Sequence, residues 1–316
     1  MKYILRRRGV ALITAMLITA LAGSVAAGLS WDNALDVRRT MVMLYRDQAI
    51  QVAVGSEGWV SSILIDDLAN SQNDHLDEIW ATEIPALPID AEAVQGEIFG
   101  RIEDLQGRFN INNLLDGNGE INQPAFEQYQ RLLTALGLDV RLAGITADWL
   151  DANQTEGRPA AGISDGAEDP FYTSLTPPYR TADQPIANVT ELAALDGMDR
   201  QSFTTLLPHV TALPGRTPVN VNTATAPVLR SLGANISDSD AEGLIALREK
   251  GGFVDLTPFD PIVDPQLRQQ GIDDKTSYFQ LKAVVQIDTV RISLFTVLYR
   301  GQQSDVTPIS RSLGTI

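Results

Sequence analysis

The hydrophobic pattern changes character twice along this chain. From Val10 to Leu29, twenty residues pass without a charge. Twenty helical residues at about 1.5 Å each reach about 30 Å, the thickness of a bilayer core. The pattern then becomes one-sided. Tyr45, Ala49, Val52, Ala53, Ser56, Val60, Ile63 and Leu64 recur at i, i+3, i+4 spacing, as on a helix with one buried face. No Pro occurs from Met1 to Ile84, so one helix is predicted from Val10 to about Ala69, roughly 90 Å long. Pro85 and Pro88 end the helical region. Gly96–Leu105 reads as a strand, with Ile98, Ile102 and Leu105 apolar and Gly100 inside it. Near the other end, Tyr278–Asp288 and Val290–Arg300 are rich in Val, Ile, Phe, Leu and Tyr. Asp288-Thr289 joins them in two residues, which predicts a hairpin. The polar tail after Gly301 reads as frayed chain or an edge strand.

Between these strands the period shortens. Pro124–Leu136, Val140–Leu150, Val189–Leu195, Asp199–Leu206, Ala224–Leu232 and Asp238–Lys250 read as short helices. Residues 153–187 carry Gly, Pro, Asp and Thr with little periodicity. The fold class is therefore α+β, with a long N-terminal helix and an antiparallel sheet interrupted by an inserted all-α domain. The α+β part is discontinuous, 30–107 and 276–316, and the insert covers 108–275.

Composition narrows the chemistry. The chain has 316 residues, 24 Lys+Arg, 40 Asp+Glu, two His and no Cys. Its formal charge of −16 argues against nucleic acid as a partner, because phosphate binding needs a basic face. Without Cys there are no disulfides, zinc ribbons, thiolate nucleophiles or iron–sulfur clusters. The two histidines, His75 and His209, read as structural or surface residues. Positive charge crowds the start at Lys2, Arg6, Arg7 and Arg8. A basic cluster before an apolar span puts the N-terminus in the cytoplasm and the body outside. Residues 1–9 read as a leader and 10–29 as a membrane span. A signal peptide cut near Ser24-Val25-Ala26 and a plain anchor compete with a third reading. In that reading the run from Arg6 through Gly9 and Val10 to Thr14 resembles a type IV pilin-like leader. The resemblance implies cleavage after Gly9 by a prepilin peptidase and methylation of Val10. Most pilins carry Glu where this chain has Thr14.

Three inner segments are candidates for chemistry. Arg101–Asn113 is a strand running into Asn110, Asn112 and Asn113, whose side chains can close local turns. Asp148 and Asp151 lie three apart at a helix end, and Asp165, Glu168 and Asp169 follow on the next loop. Arg158 is the one nearby base. Convergent carboxylates repel, and a hard cation such as calcium would relieve them. A solvated acidic loop needs no metal, and two-carboxylate catalysis uses the same residue types. Pro218–Phe253 resembles a helix-hairpin-helix module. Its hairpin, Gly233-Ala234-Asn235-Ile236, lacks a second Gly, and Asp238, Asp240 and Glu242 repel phosphate, so it reads as a packing scaffold. Asp116–Ile121 looks like a calcium-loop fragment, but Leu114 and Ala125 fall where acidic ligands are required.

Together these segments resemble the type II secretion system protein K family, the large minor pseudopilins. The resemblance rests on the leader with Thr14, Arg101–Asn113, Ala147–Asn153, Gly166–Asp169 with Tyr172, Pro178–Thr181 and Asn220–Ala224. It implies a pilin-like fold with an inserted α-domain and a non-enzymatic role capping or initiating the periplasmic pseudopilus. It implies inner-membrane anchoring and two other minor pseudopilins as tip partners. The prepilin peptidase and the inner-membrane assembly platform follow as partners, and secreted substrates or the outer-membrane secretin as contacts. It also implies calcium in the α-domain, with Asp151, Asp165, Glu168 and Asp169 as favoured ligands and Asp148 beside them. In pilins the Glu pairs with the amine of the adjoining subunit. A subunit with none above it has no partner to offer, and a bulky insert fits only where nothing stacks. The competing functions are a membrane-anchored DNA-uptake protein and a secreted acidic hydrolase.

Overall fold

A computed structural model describes residues 10–91, 94–157, 165–249, 251–302 and 305–314. The described residues open with helix α1 (Val10–Asn70), followed by strands β1 (Ile84–Ala91), β2 (Val94–Asp104) and β3 (Phe109–Asn110). Helices α2 (Gln123–Ala135), α3 (Leu142–Leu150), α4 (Asp169–Tyr172) and α5 (Arg200–Leu206) follow, then β4 (Val210–Thr211) and β5 (Val219–Asn220). After α6 (Ala226–Ser231), α7 (Asp238–Arg248), α8 (Pro265–Gln270) and β6 (Ile272–Asp273), the chain ends in β7 (Tyr278–Ile287), β8 (Val290–Arg300) and β9 (Val306–Leu313).

The spine helix α1 is continuous for 61 residues, as its unbroken pattern predicts. Among the described residues its first part packs on nothing: Val10, Leu17, Leu21 and Leu29 are at least 60% exposed. It is long and apolar enough to cross a membrane. Further along, Ala49, Ala53, Val60 and Leu64 are fully buried and meet β7 and β8. The two alanines let helix and sheet approach closely. Glu57 sits on this same buried face. Its carboxylate accepts 2.7 Å bonds from Thr296 Oγ1 and from Nε and Nη2 of Arg311. Burial pushes the Glu57 pKa up, but the Arg311 and Thr296 hydrogen bonds outweigh it and leave the group lowered.

The sheet has the order β1-β2-β7-β8-β9, antiparallel throughout. The β7–β8 hairpin turns at Asp288, which takes φ 50°, a conformation that Asp tolerates better than most residues. Gly100 pairs with Ala283, and a Cβ there would strike the Lys282 carbonyl. The tail forms β9, an edge strand. The other edge, β1, contains Pro85 and Pro88, which end the helical pattern in the sequence and here also sit within a strand. Pro donates no ladder bond, so an edge is where such a strand belongs.

A second core holds the short helices together. Phe109, Leu114, Tyr129, Leu132, Leu133, Leu206 and Leu229 are buried in it to within 0% of full occlusion. Buried amides tie its loops. Asn112 donates to Ile186 O at 3.0 Å and accepts from Ile186 N at 2.9 Å. Asn113 does the same to Thr217, at 2.8 and 3.0 Å. Of the three asparagines expected to close local turns, Asn110 does so, accepting from Asn112 N. The other two copy strand pairing to segments far away in sequence. The helix-hairpin-helix-like pair α6 and α7 packs inward: a Cβ at Gly233 would meet the Ile262 carbonyl, and Arg248 Nη1 donates to Val221 O at 3.0 Å.

Candidate metal centre

Helix α3 is buried on every face, so its polar end must find partners inside the protein. Asp148 lies on its last turn and Asp151 is its C-cap. One helical turn apart, they face the same way. Glu168 comes from the loop entering α4, where it is the N-cap. One oxygen from each of the three lies within 4.8 Å of the others. Asp148, Asp151 and Glu168 are 1%, 2% and 0% exposed.

The two aspartates are held by the backbone. Asp148 Oδ2 accepts from Gly157 N at 2.8 Å, and Asp151 Oδ1 from Asn153 N at 2.8 Å. Gly166 closes the cradle, since a Cβ there would collide with the Asp148 carboxylate and Gly157 N. Glu168 is different: neither carboxylate oxygen has a hydrogen-bond partner among the described residues. Burial, then the charges of Asp148, Asp151, Asp183 and Asp169, push its pKa up to about 8. An ionised carboxylate left in this state is costly. A buried polar atom without a partner calls for an ion, a water or a proton.

The structure brings together three of the five predicted carboxylates. Asp169 turns away: its Oδ1 accepts from Thr181 N and Oγ1, each at 3.1 Å, and its Oδ2 lies 3.2 Å from Arg180 Nη1. Asp165 is exposed beside the cluster. Arg158, the predicted nearby base, and Gly9 of the leader lie outside the described residues. Val10 opens α1. Sequence reasoning missed Asp183. It has φ 51°, its N–H donates to Trp149 O at 3.2 Å, and it accepts from Thr181 Oγ1 at 2.6 Å. Its nearness to the Pro178–Thr181 segment was the available signal. Trp149, Phe171, Tyr172 and Tyr179 pack edge-on or tilted against one another, which ties the end of α3 to α4.

An all-oxygen, all-anionic donor set with one carboxylate unpartnered fits a hard divalent cation of the calcium type. Asp148, Asp151 and Glu168 are the residues that would hold it. Its contribution would be charge neutralisation and the locking of α3 to the α4 loop.

The spine helix, five-stranded antiparallel sheet and intercalated α block define a pilin-like α+β protein. Two family models, both described as type II secretion system protein K, match residues 107–215 and 219–282. The type II secretion system protein K of Pseudomonas aeruginosa is 33% identical over 326 residues, covering 98% of this chain and 93% of that one. That of Aeromonas hydrophila is 30% identical over 333 residues, covering 98% of each. A solved structure, the GspK-GspI-GspJ complex from the enterotoxigenic Escherichia coli type 2 secretion system, contains a similar fold. Its TM-score is 0.75 at 23% identity, covering 88% of this chain and all of the matched one. The chain belongs to the type II secretion system protein K family.

Proposed function

We propose that this protein is a minor pseudopilin of a type II secretion system, capping or initiating the periplasmic pseudopilus at its tip. The observation that carries this reading is the combination of a bare spine whose far half packs on the sheet with a large α block inserted between β2 and β7. Thr14 sharpens it. Its hydroxyl donates within its own helix, to Val10 O and Ala11 O at 3.0 Å each. The position therefore needs no partner from a subunit above. The solved structure is a GspK-GspI-GspJ complex, and by likeness two other minor pseudopilins are the partners here. The N-terminus lies in the cytoplasm and the α block in the periplasm. A prepilin peptidase cuts after Gly9, and the new amine of Val10 is methylated. The role is assembly: three carboxylates at 0–2% exposure are too enclosed to meet a polymeric substrate, which disfavours the hydrolase reading. Mass analysis of the mature N-terminus tests the proposal. Methyl-Val10 is expected; a start at Ala27 or Gly28, or an intact Met1, overturns it.

The α block carries a structural calcium held by Asp148, Asp151 and Glu168, with Asp165, Asp169 and Asp183 as flanking charge. The unpartnered Glu168 carboxylate supports this. Calcium titration followed by the melting temperature tests it, and a melting temperature indifferent to calcium and chelator rejects it.

A further inference from the structure

A cleft of about 370 Å³ opens in the α block between the first turn of α2, the segment entering β5, and α8. Its walls differ from the rest of the molecule. The chain carries a formal charge of −16, yet no Asp or Glu lines the cleft among the described residues, and Arg216 is the one charge in it. Asparagine and glutamine side chains supply most of the polar wall, while Pro124, Ala125 and Leu267 supply an apolar strip. Gln128 is 2% exposed and lines the cleft, and its Nε2 reaches Ser231 Oγ at 3.5 Å, the outer limit of a hydrogen bond. No side chain caps the first turn of α2, because the Asn122 amide donates instead to Asn113 O at 2.9 Å. Ala125 of that turn lines the cleft.

We infer that this cleft binds the free C-terminus of a peptide. Arg216 and the uncapped end of a 13-residue helix attract a carboxylate. The amides offer donors and acceptors to the peptide groups behind it, and the apolar strip takes a small aliphatic side chain. Among the described residues no aromatic ring lines the cleft, so they offer no stacking platform for a sugar or a base. Its volume is within the range of about 300–1,000 Å³ usual for organic ligands, far beyond what a lone inorganic anion fills. Asp116 lies near enough to feel the charge of Arg216. Its own carboxyl is held low mainly by the N–H groups of Asn118 and Glu120, with Arg216 the smallest contribution.

The test uses the full chain in detergent and a fluorescein-labelled Gly/Ser pentapeptide ending in Ala-Leu, followed by fluorescence polarisation. The peptide with a free carboxylate is expected to bind, and its C-terminal amide to bind about tenfold or more weakly, the worth of a charge-assisted hydrogen bond. Arg216→Ala should bring the acid peptide to the level of the amide without moving the thermal unfolding, because Arg216 is exposed. Equal binding of acid and amide overturns the inference. So does an unchanged Arg216→Ala protein, displacement of the peptide by acetate at equal concentration, or no binding at millimolar peptide. The pseudopilin reading rests on the spine and the family, so none of these failures touches it.

Discussion

Two clusters of three carboxylates are built into this molecule, and they solve the same electrostatic problem differently. Asp67, Asp74 and Glu78 bring one oxygen each within 4.8 Å, as do Asp148, Asp151 and Glu168. The first cluster lies where the spine ends against the sheet and carries its own cation. Arg300 donates to Asp67 Oδ2 at 2.8 Å, to Asp74 Oδ1, and to Thr276 O at 2.9 Å. It also lies over the Phe279 ring, 4.7 Å from the centroid. Glu78 is anchored by Trp80 Nε1 at 2.7 Å and by His75 N at 3.0 Å. The second cluster has backbone donors but no guanidinium among its described neighbours, and Glu168 has neither. A buried guanidinium pairs two carboxylates of the first cluster, while Glu78 Oε1 has no hydrogen-bond partner among the described residues. In the second, the Glu168 carboxylate is the group without a partner among the described residues, and it is the one the proposed calcium would meet.

Breaking the first cluster should have the largest effect. Arg300→Met leaves Asp67 and Asp74 facing each other in the interior, so a loss of about 3–5 kcal/mol is expected, typical of removing one partner from a buried pair. Fluorotryptophan labelling with ¹⁹F NMR during urea unfolding can follow Trp80, beside this cluster, and Trp149, beside the other. A loss below about 1 kcal/mol at the Trp80 signal would mean the carboxylates are neutralised by protons and Arg300 is dispensable. The second cluster should respond to chelation. Calcium at a hundredfold its dissociation constant stabilises by about 2.7 kcal/mol, which chelator should remove at the Trp149 signal while leaving Trp80 unmoved. Glu168→Gln keeps the shape and removes the orphan charge, so its stability without calcium should rise and its response to chelator shrink. A chelator effect of wild-type size in that variant would sink the assignment of Glu168.

These clusters were unequally legible in the sequence. Asp148 and Asp151 are one helical turn apart and Glu168 follows on the next loop, so the second could be read from spacing. The first could not, because Arg300 comes from a strand more than two hundred residues beyond Asp74 and no local pattern announces the meeting. The same division runs through the fold. The spine and the β7–β8 hairpin follow from periods that a single segment displays. Strand β1 was hidden because its prolines make sense only once its edge position is known. Asn112 and Asn113 looked like turn formers, since their partners at Ile186 and Thr217 exist only in three dimensions. Asp165 and Asp169 were grouped with the cluster by proximity in sequence, and Thr181 and Arg180 hold Asp169 elsewhere.

Titration sharpens the contrast at smaller amplitude. Glu168 is raised from 4.5 to about 8, so the folded protein binds its proton more tightly than the unfolded chain does. Stability must then fall as pH rises between those values, because the folded state holds the extra proton throughout that window. Calcium bound there would displace that proton, so under the proposed assignment saturating calcium should flatten the slope at the Trp149 signal. Asp67 is also raised, from 3.8 to about 7, by burial and by Glu78 and Asp74 in spite of Arg300. Its slope has the same sign, ends near pH 7, and should persist in calcium at the Trp80 signal. A slope that calcium abolishes at both signals would mean the two clusters are not independent.

The smallest expected effect separates burial from pairing. Arg311 grips Glu57 with two 2.7 Å bonds, contacts as short as any Arg300 makes to Asp67, yet its side chain is 48% exposed against 3% for Arg300. Solvent screens the outer half of this pair, and Thr296 Oγ1 still donates to Glu57 when Arg311 is gone. Arg311→Ala should therefore cost about 1 kcal/mol or less, in the range of partly exposed ion pairs. Arg311→Lys keeps the charge but not the paired donors and should fall between wild type and alanine. If Arg311→Ala costs as much as Arg300→Met, the difference between the two arginines lies in their hydrogen-bond geometry and not in burial. Burial alone would then not be enough to make Glu168 require an external cation.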